Sequence, residues 1–136
     1  GATRNRRPIH VSQTAELGKS LLVSGFAYDR RETLDNNYAE FCHLTHLTQG
    51  VRRDGAAALD LAYVACGRAD AYFESGIKAW DVAGGMLLVR EAGGRVSDFK
   101  GCGERILDAG NIVAGNVRIN PILQATIAQS EYGKSF

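Results

Sequence analysis

Short apolar runs alternate with longer helical segments along this chain of 136 residues. This alternation restricts the possible folds more than any other feature. Residues 21–26 and residues 71–73 are typical of buried strands. Between them, residues 54–67 form an alanine-rich pattern that predicts a helix, and Gly67 stands where left-handed helix ends favour glycine. Strands that alternate with helices predict an α/β fold, with a sheet covered by helices.

The remaining elements follow from the same periodicities. Further strands are expected at residues 9–12, 95–99 and 111–114. Further helices are expected at residues 36–46, 81–92 and 120–129, with a helical turn at 16–20. The sequence contains no repeat, low-complexity tract or clear linker, so residues 1–136 are assigned to a single α/β domain.

The composition is that of an ordinary globular domain. Apolar residues make up 45% of the chain and charged residues 23%, and the net charge is +1. A charge so close to zero gives no reason to expect nucleic acid or an acidic membrane surface as a partner. No apolar run approaches the ~20 residues that span a bilayer. The three cysteines, Cys42, Cys66 and Cys102, form neither a zinc nor a redox motif, which favours a reducing, cytoplasmic setting.

The segment 74–85 carries the most specific chemical signal. Glu74 ends a predicted strand, and Asp81 follows Trp80 in the first turn of the next predicted helix. The unpaired N–H groups and partial positive charge of a helix N-terminus can hold a carboxylate ionised, as a magnesium or phosphate site requires. The alternative is purely structural: Asp81 caps the helix and Trp80 packs against it. For Glu74, the structural alternative is an ion pair with Lys78.

Residues 74–85, with residues 68–72 before them and 91–94 after them, resemble the second signature of the inositol monophosphatase family. The similarity extends from residues 8–12 to residues 111–116. The resemblance implies a magnesium-dependent, lithium-sensitive sugar phosphatase, usually a homodimer. It also implies a mixed sheet covered by helices, as in the C-terminal half of the layered αβαβα sugar phosphatase fold.

The resemblance covers only the C-terminal half of a family member. Members are about twice as long, and their first half contains a Gly-Glu-Glu segment and an Asp-Pro-Ile-Asp-Gly-Thr segment that carry most of the metal ligands. Neither segment occurs in this chain. The resemblance therefore implies that the N-terminal metal- and phosphate-binding half is absent, that it is the expected partner, and that the chain alone is inactive.

The resemblance also assigns roles to individual residues. Asp81 matches a magnesium ligand that lies close to a substrate hydroxyl, so we expect it to be catalytic, metal-binding and substrate-binding. Glu74 matches a residue that accepts hydrogen bonds from polyol hydroxyls. Gly55 and Ala57 match a substrate-binding turn, in which a backbone N–H at the position of Ala57 contacts a hydroxyl. Many members have serine or threonine in place of Ala56, so the hydroxyl contacts stay open.

The implied reaction is hydrolysis of inositol monophosphate or a related sugar-alcohol phosphate by metal-activated water, without a phospho-enzyme. Histidinol phosphate, fructose 1,6-bisphosphate, nucleotide 3′-phosphates and NADP are other substrates of the family. A different class of function is a non-catalytic assembly fragment, which an exposed apolar seam would favour. A dinucleotide-binding module is disfavoured, because no GxGxxG motif follows a predicted strand.

Overall fold

A five-stranded mixed sheet lies at the centre of the computed structural model, which describes residues 1–130. Its strands are β3 (Leu21–Ser24), β4 (Gly50–Arg52), β5 (Ala71–Ser75), β6 (Arg95–Ser97) and β7 (Asn111–Gly115). A separate hairpin near the N-terminus contains β1 (Thr3–Arg4) and β2 (Arg7–Pro8). The helices are α1 (Tyr38–Leu47), α2 (Ala57–Ala65), α3 (Ala79–Glu91), α4 (Ile106–Ala109) and α5 (Ile119–Ala128), and Leu17–Lys19 forms a 3₁₀ turn. The predicted fold class, a mixed sheet covered by helices, is confirmed.

The strand order of the central sheet is β4-β3-β5-β7-β6. Strand β3 pairs in parallel with β4 and β5, whereas β7 runs antiparallel to β5 and β6. The carboxyl ends of β3, β4 and β5 therefore meet at one edge of the sheet. The chain leaves this edge to enter α2 after β4 and α3 after β5. Open α/β sheets commonly bind their ligands outside this edge.

Helices cover both faces of the sheet and create two cores. Helices α2, α3 and α4 cover one face, over a core that includes Leu61, Tyr72 and Val82. Helices α1 and α5 cover the other face, over a core that includes Phe73 and Leu123. Side chains alternate along a strand, so the neighbours Tyr72 and Phe73 point in opposite directions. Residue 74, two positions after Tyr72, consequently shares the face covered by α2 and α3.

The strand predicted at residues 9–12 is wrong. The neighbouring β1 and β2 form a hairpin instead, and its turn contains Asn5 and Arg6 at φ values of 52° and 66°. Val11 is buried and donates a single backbone hydrogen bond of 3.1 Å to the carbonyl of Ala92, just after α3. The alternation in this segment therefore reflects packing against the end of α3 rather than membership of a ladder.

Two predicted strands end earlier than expected, and each does so at a polar side chain. Strand β3 ends at Ser24 because Asn37 donates hydrogen bonds of 2.8 Å to the Ser24 hydroxyl and to the following carbonyl. Strand β6 ends at Ser97 because Asp98 accepts two backbone N–H groups, at 2.8 and 2.9 Å, and closes a turn. These side chains replace ladder hydrogen bonds with local ones.

Helix α2 begins at Ala57 rather than at residue 54, because Gly55 takes a φ of 93° that a helix cannot contain. Strand β4 and helix α4 were not predicted. Strand β4 has three residues and helix α4 has four, so neither is long enough to show a clear apolar periodicity. Among the helices of residues 1–130, none is long and apolar enough to cross a membrane.

Candidate functional site

The predicted site residues lie at the carboxyl edge of the parallel strands. Glu74 is near the end of β5, and Asp81 is in the first turn of α3, which follows β5. Gly55 lies in the connection from β4 to α2, and Ala57 is the first residue of α2. Helices α2 and α3 pack against each other, so the structure gathers all four residues at one end of the sheet.

Glu74 is half-buried, and its two carboxylate oxygens have different surroundings. The Tyr72 hydroxyl donates a 2.7 Å hydrogen bond to Oε2. Gly25, at the end of β3, lies directly against Oε1, and a Cβ on Gly25 would overlap that oxygen. The structural alternative, an ion pair between Glu74 and Lys78, does not form within the described residues.

Electrostatic interactions tie Glu74 to the rest of the site. Burial raises the pKa of the Glu74 carboxyl, the Tyr72 hydrogen bond and the Arg53 charge lower it, and the negative charge of Asp81 raises it. Asp81 and Glu74 are therefore close enough to influence each other. Arg53, which immediately follows β4, supplies compensating positive charge at this edge.

Asp81 is exposed at the N-terminus of α3 and uses one oxygen as a helix cap. Its Oδ2 accepts the backbone N–H of Lys78 at 3.2 Å, and its own N–H donates to the Lys78 carbonyl at 3.0 Å. The predicted capping role is therefore observed, but Trp80 does not pack against the helix, since it is 81% exposed. Oδ1 of Asp81 accepts no hydrogen bond within residues 1–130, so it is available to a ligand.

The turn before α2 presents a helix N-terminus to the same edge. Gly55 allows the reversal through its positive φ, and the extended Ala56, at φ −144°, precedes the helix without a side-chain cap. The backbone N–H groups of the first helical turn, that of Ala57 included, lack intrahelical acceptors. A serine or threonine at position 56 would accept one of them. Alanine leaves these donors for another partner.

Asp60 is a carboxylate of this neighbourhood that the sequence reasoning missed. It lies on α2, is 1% exposed, and its Oδ1 has no hydrogen-bond partner within residues 1–130. Burial raises the pKa of Asp60, and the charges of Asp54 and Glu74 bring it to about 7. The available signal was its position between Leu59 and Leu61 in an alanine-rich helix, where a carboxylate is unusual.

Asp60→Asn is expected to stabilise the chain at pH 8. The pKa of about 7 in the folded chain exceeds the ordinary 3.8, so the folded state retains a proton that the unfolded state releases. The contribution of this proton to the free energy of unfolding is fully present below pH 3.8 and is lost as the pH rises through about 7. A shift of roughly three units corresponds to about 4 kcal/mol, which solvent screening and relaxation reduce to on the order of 2 kcal/mol.

Urea unfolding of both proteins at pH 5 and pH 8 measures this effect. The stability advantage of Asp60→Asn over the wild type should grow between the two pH values. Asp108→Asn, on the exposed surface of α4, is the matched control and should show no such growth. An advantage of equal size at both pH values would mean that the Asp60 proton does not set the stability.

Comparison with known proteins decides the family. The sequence model of the inositol monophosphatase family matches residues 1–132. The chain belongs to this family. The inositol-1-monophosphatase of Synechocystis sp. is 62% identical over 128 residues, which are 94% of this chain and 44% of that protein. The Nus factor SuhB of Pseudomonas aeruginosa is 49% identical over 129 residues, 93% of this chain and 47% of its own length.

The solved structures agree with the family assignment. The inositol monophosphatase from Anabaena (Nostoc) sp. superimposes with a TM-score of 0.91 at 64% identity, and the match covers 95% of this chain and 51% of that one. The family predicted from the sequence is therefore confirmed. The chain spans about half the length of the curated relatives it matches.

Residues 1–130 contain no complete metal site of three or more side-chain ligands. In the part of the chain that the structure describes, no three acidic, histidine or cysteine side chains lie together as a metal site would need. Asp81 fits one ligand position, because an exposed carboxylate oxygen without a hydrogen bond is a preferred ligand of magnesium. Further ligands would have to come from outside residues 1–130.

Proposed function

We propose that the chain is the C-terminal part of a magnesium-dependent phosphatase that hydrolyses inositol monophosphate or a related sugar-alcohol phosphate. The observation that carries this proposal is the pairing of Asp81, which has one oxygen available, with the half-buried Glu74 at a single sheet edge. Relatives named inositol-1-monophosphatase, at 62% and 46% identity, support this substrate class.

Each proposed site residue has a separate task. Asp81 is the catalytic residue, and it would hold Mg²⁺, which when bound neutralises phosphoryl charge and makes water more acidic. Glu74 accepts a hydrogen bond from a hydroxyl of the polyol, and Asp81 lies near a second hydroxyl. The backbone N–H of Ala57 donates to a further hydroxyl, and Gly55 provides the turn that directs this N–H toward the site.

The outer surface of α3 supports an absent N-terminal half as the partner. Val82, Met86 and Val89 bury one side of this helix against the sheet. The opposite side of α3 is also apolar, and its exposed residues are Trp80, Ala83, Gly84, Leu87 and Leu88. Leu59 of the neighbouring α2 is exposed as well. We call these six residues the outer face of α3. Residues 82–89 of α3 are apolar on both sides of the helix, and a segment of that kind belongs in a protein interior, so another layer of the complete enzyme would cover this face.

Other functions remain as alternatives. Histidinol phosphate, fructose 1,6-bisphosphate, nucleotide 3′-phosphates and NADP are phosphatase substrates of the same kind, and Glu74 favours a polyol among them. A non-catalytic assembly fragment is the second candidate, favoured by the outer face of α3 and by the name Nus factor of a relative at 49% identity. We further propose that the complete enzyme is a cytoplasmic homodimer that binds neither nucleic acid nor membranes, in keeping with a net charge of +1.

A chimera tests the proposed function. It joins the part of the Synechocystis enzyme that this chain does not match to the whole of this chain. We expect the chimera to release inorganic phosphate from inositol 1-phosphate in the presence of Mg²⁺. EDTA should stop this release, added Mg²⁺ should restore it, and Li⁺ should inhibit it. The four alternative substrates should be hydrolysed more slowly.

The parent Synechocystis enzyme is the positive control, and the 136-residue chain alone, expected to be inactive, is the negative one. Phosphate release that persists in EDTA would contradict the magnesium requirement. A folded chimera that fails on every substrate, while the parent is active, would favour the assembly fragment.

A further inference from the structure

The hydroxyl of Tyr72 makes one hydrogen bond within residues 1–130. The Tyr72 side chain is fully buried in the core beneath α2 and α3, and its hydroxyl donates to Oε2 of Glu74 at 2.7 Å. Burial raises the pKa of Tyr72, and the neighbouring charge of Glu74 raises it further. The hydroxyl therefore keeps its proton and acts as a donor at any physiological pH.

A second acceptor is present nearby and is not used. Asp60 is close enough for its charge to affect Tyr72, yet it accepts no hydrogen bond from the Tyr72 hydroxyl. Its Oδ1 is buried without a partner within residues 1–130. The Tyr72 hydroxyl is therefore bonded to Glu74 and not to Asp60.

The other oxygen of Glu74 has no such partner. Oε1 accepts no hydrogen bond within residues 1–130 and, unlike Oδ1 of Asp60, is not closed off from solvent. Gly25 makes room for it, because any larger residue would place a Cβ on the same spot. Oε2 of Glu74 is hydrogen-bonded to Tyr72, whereas Oε1 lies beside Gly25, where the absence of a Cβ leaves room for it.

We propose that Tyr72 is a positioning residue that orients the Glu74 carboxylate, so that Glu74 contacts the substrate through Oε1. The proposal rests on the proposed function, since it concerns how the polyol is recognised. The Tyr72 hydrogen bond to Oε2 fixes the orientation of the carboxylate, so Oε1 is the oxygen that faces the space beside Gly25. Glu74 therefore reads the position of one hydroxyl, and the Tyr72 hydrogen bond fixes where that hydroxyl must lie.

Tyr72→Phe in the chimera tests this role, because it removes only the hydroxyl. Loss of the hydrogen bond leaves the carboxylate free to turn away from the polyol, so we expect KM for inositol 1-phosphate to rise by about 10-fold while kcat changes by less than about twofold. KM for p-nitrophenyl phosphate should not change, since this substrate has no polyol hydroxyl for Glu74 to bind. Tyr63→Phe is the matched control, because the Tyr63 hydroxyl makes no hydrogen bond within residues 1–130.

A double-mutant cycle shows whether Tyr72 acts through Glu74. In the Glu74→Gln background, Tyr72→Phe should add less than about a twofold further change in KM, because residues that act as a unit are not additive. An equal rise in KM for both substrates would mean that Tyr72 is merely structural, and would overturn the proposal. An unchanged KM in an active chimera would overturn it too, while leaving the proposed function intact. A folded wild-type chimera that is inactive on inositol 1-phosphate would overturn both.

Discussion

Asp81→Asn in the chimera is expected to lower magnesium-dependent phosphate release by about 100- to 1000-fold. Asparagine keeps the shape of the side chain, and its carbonyl oxygen can still accept the Lys78 N–H that begins α3. The start of the helix should therefore be preserved. What the variant loses is the negative charge on Oδ1, which accepts no hydrogen bond within residues 1–130. Several kcal/mol of stabilisation disappear with a metal-binding carboxylate, and each 1.36 kcal/mol is a factor of about ten in rate.

The measurement is initial phosphate release from inositol 1-phosphate as a function of Mg²⁺ concentration. The variant should require more Mg²⁺ for half-maximal activity and should stay slow at saturation, with an unchanged melting temperature. Asp108→Asn makes the same chemical change on the exposed surface of α4 and should retain full activity. If Asp81→Asn were as active as this control, Asp81 would be a helix cap and nothing more.

The positions of Glu74 and Asp81 could be predicted from the sequence because the rules involved are local. A strand that ends in Glu74 and a helix that begins just before Asp81 place both carboxylates at one sheet edge, whatever the rest of the chain does. The family resemblance added the roles proposed for these two carboxylates, which spacing alone did not give. Spacing alone left the structural alternatives open. One of them, in which Asp81 caps α3 and Trp80 packs against it, fails for Trp80, because this side chain is exposed.

Asp60 and the Tyr72 hydrogen bond could not be predicted, because both depend on contacts between elements. Glu74 and Asp60 interact only after α2 has packed onto the face of β5 that carries Tyr72. Gly25 is 49 residues from Glu74 in the chain, and only the parallel pairing of β3 with β5 brings it against Oε1. Sequence periodicity identifies the buried face of a strand, but it does not identify which residues meet across that face.

The bounds of short elements were also beyond the sequence. The predicted strand at residues 9–12 has the alternation of a strand, and Val11 is indeed buried. Within residues 1–130, however, only Ile9 continues the β1–β2 hairpin, through an N–H that donates to the Ala2 carbonyl at 3.0 Å, and the rest of the segment pairs with no strand. Strand β4 has only three residues at the edge of the sheet, so it exists because β3 pairs with it. Pairing is a long-range property, and an alternating pattern predicts burial more reliably than it predicts a ladder.

Leu87→Glu is expected to weaken association with the N-terminal half by at least about 100-fold. Leu87 is 61% exposed in this chain, near the middle of the outer face of α3, so the change should leave the folding of the chain itself unaltered. A glutamate that is buried on assembly without a partner costs several kcal/mol, because its hydration is lost and nothing replaces it. The measurement is binding of this chain to a separately expressed N-terminal part of the Synechocystis enzyme, by calorimetry.

Ile122→Glu on α5 is the matched control. Ile122 is an exposed aliphatic residue, 41% accessible, on the helix layer that covers the opposite face of the sheet. The same charge placed there should leave binding of the N-terminal part unchanged, because Ile122 lies on α5, away from the outer face of α3. If Ile122→Glu weakened binding and Leu87→Glu did not, the partner layer would lie on the α1 and α5 side. The active-site edge would then have to be completed from that side rather than over Asp81.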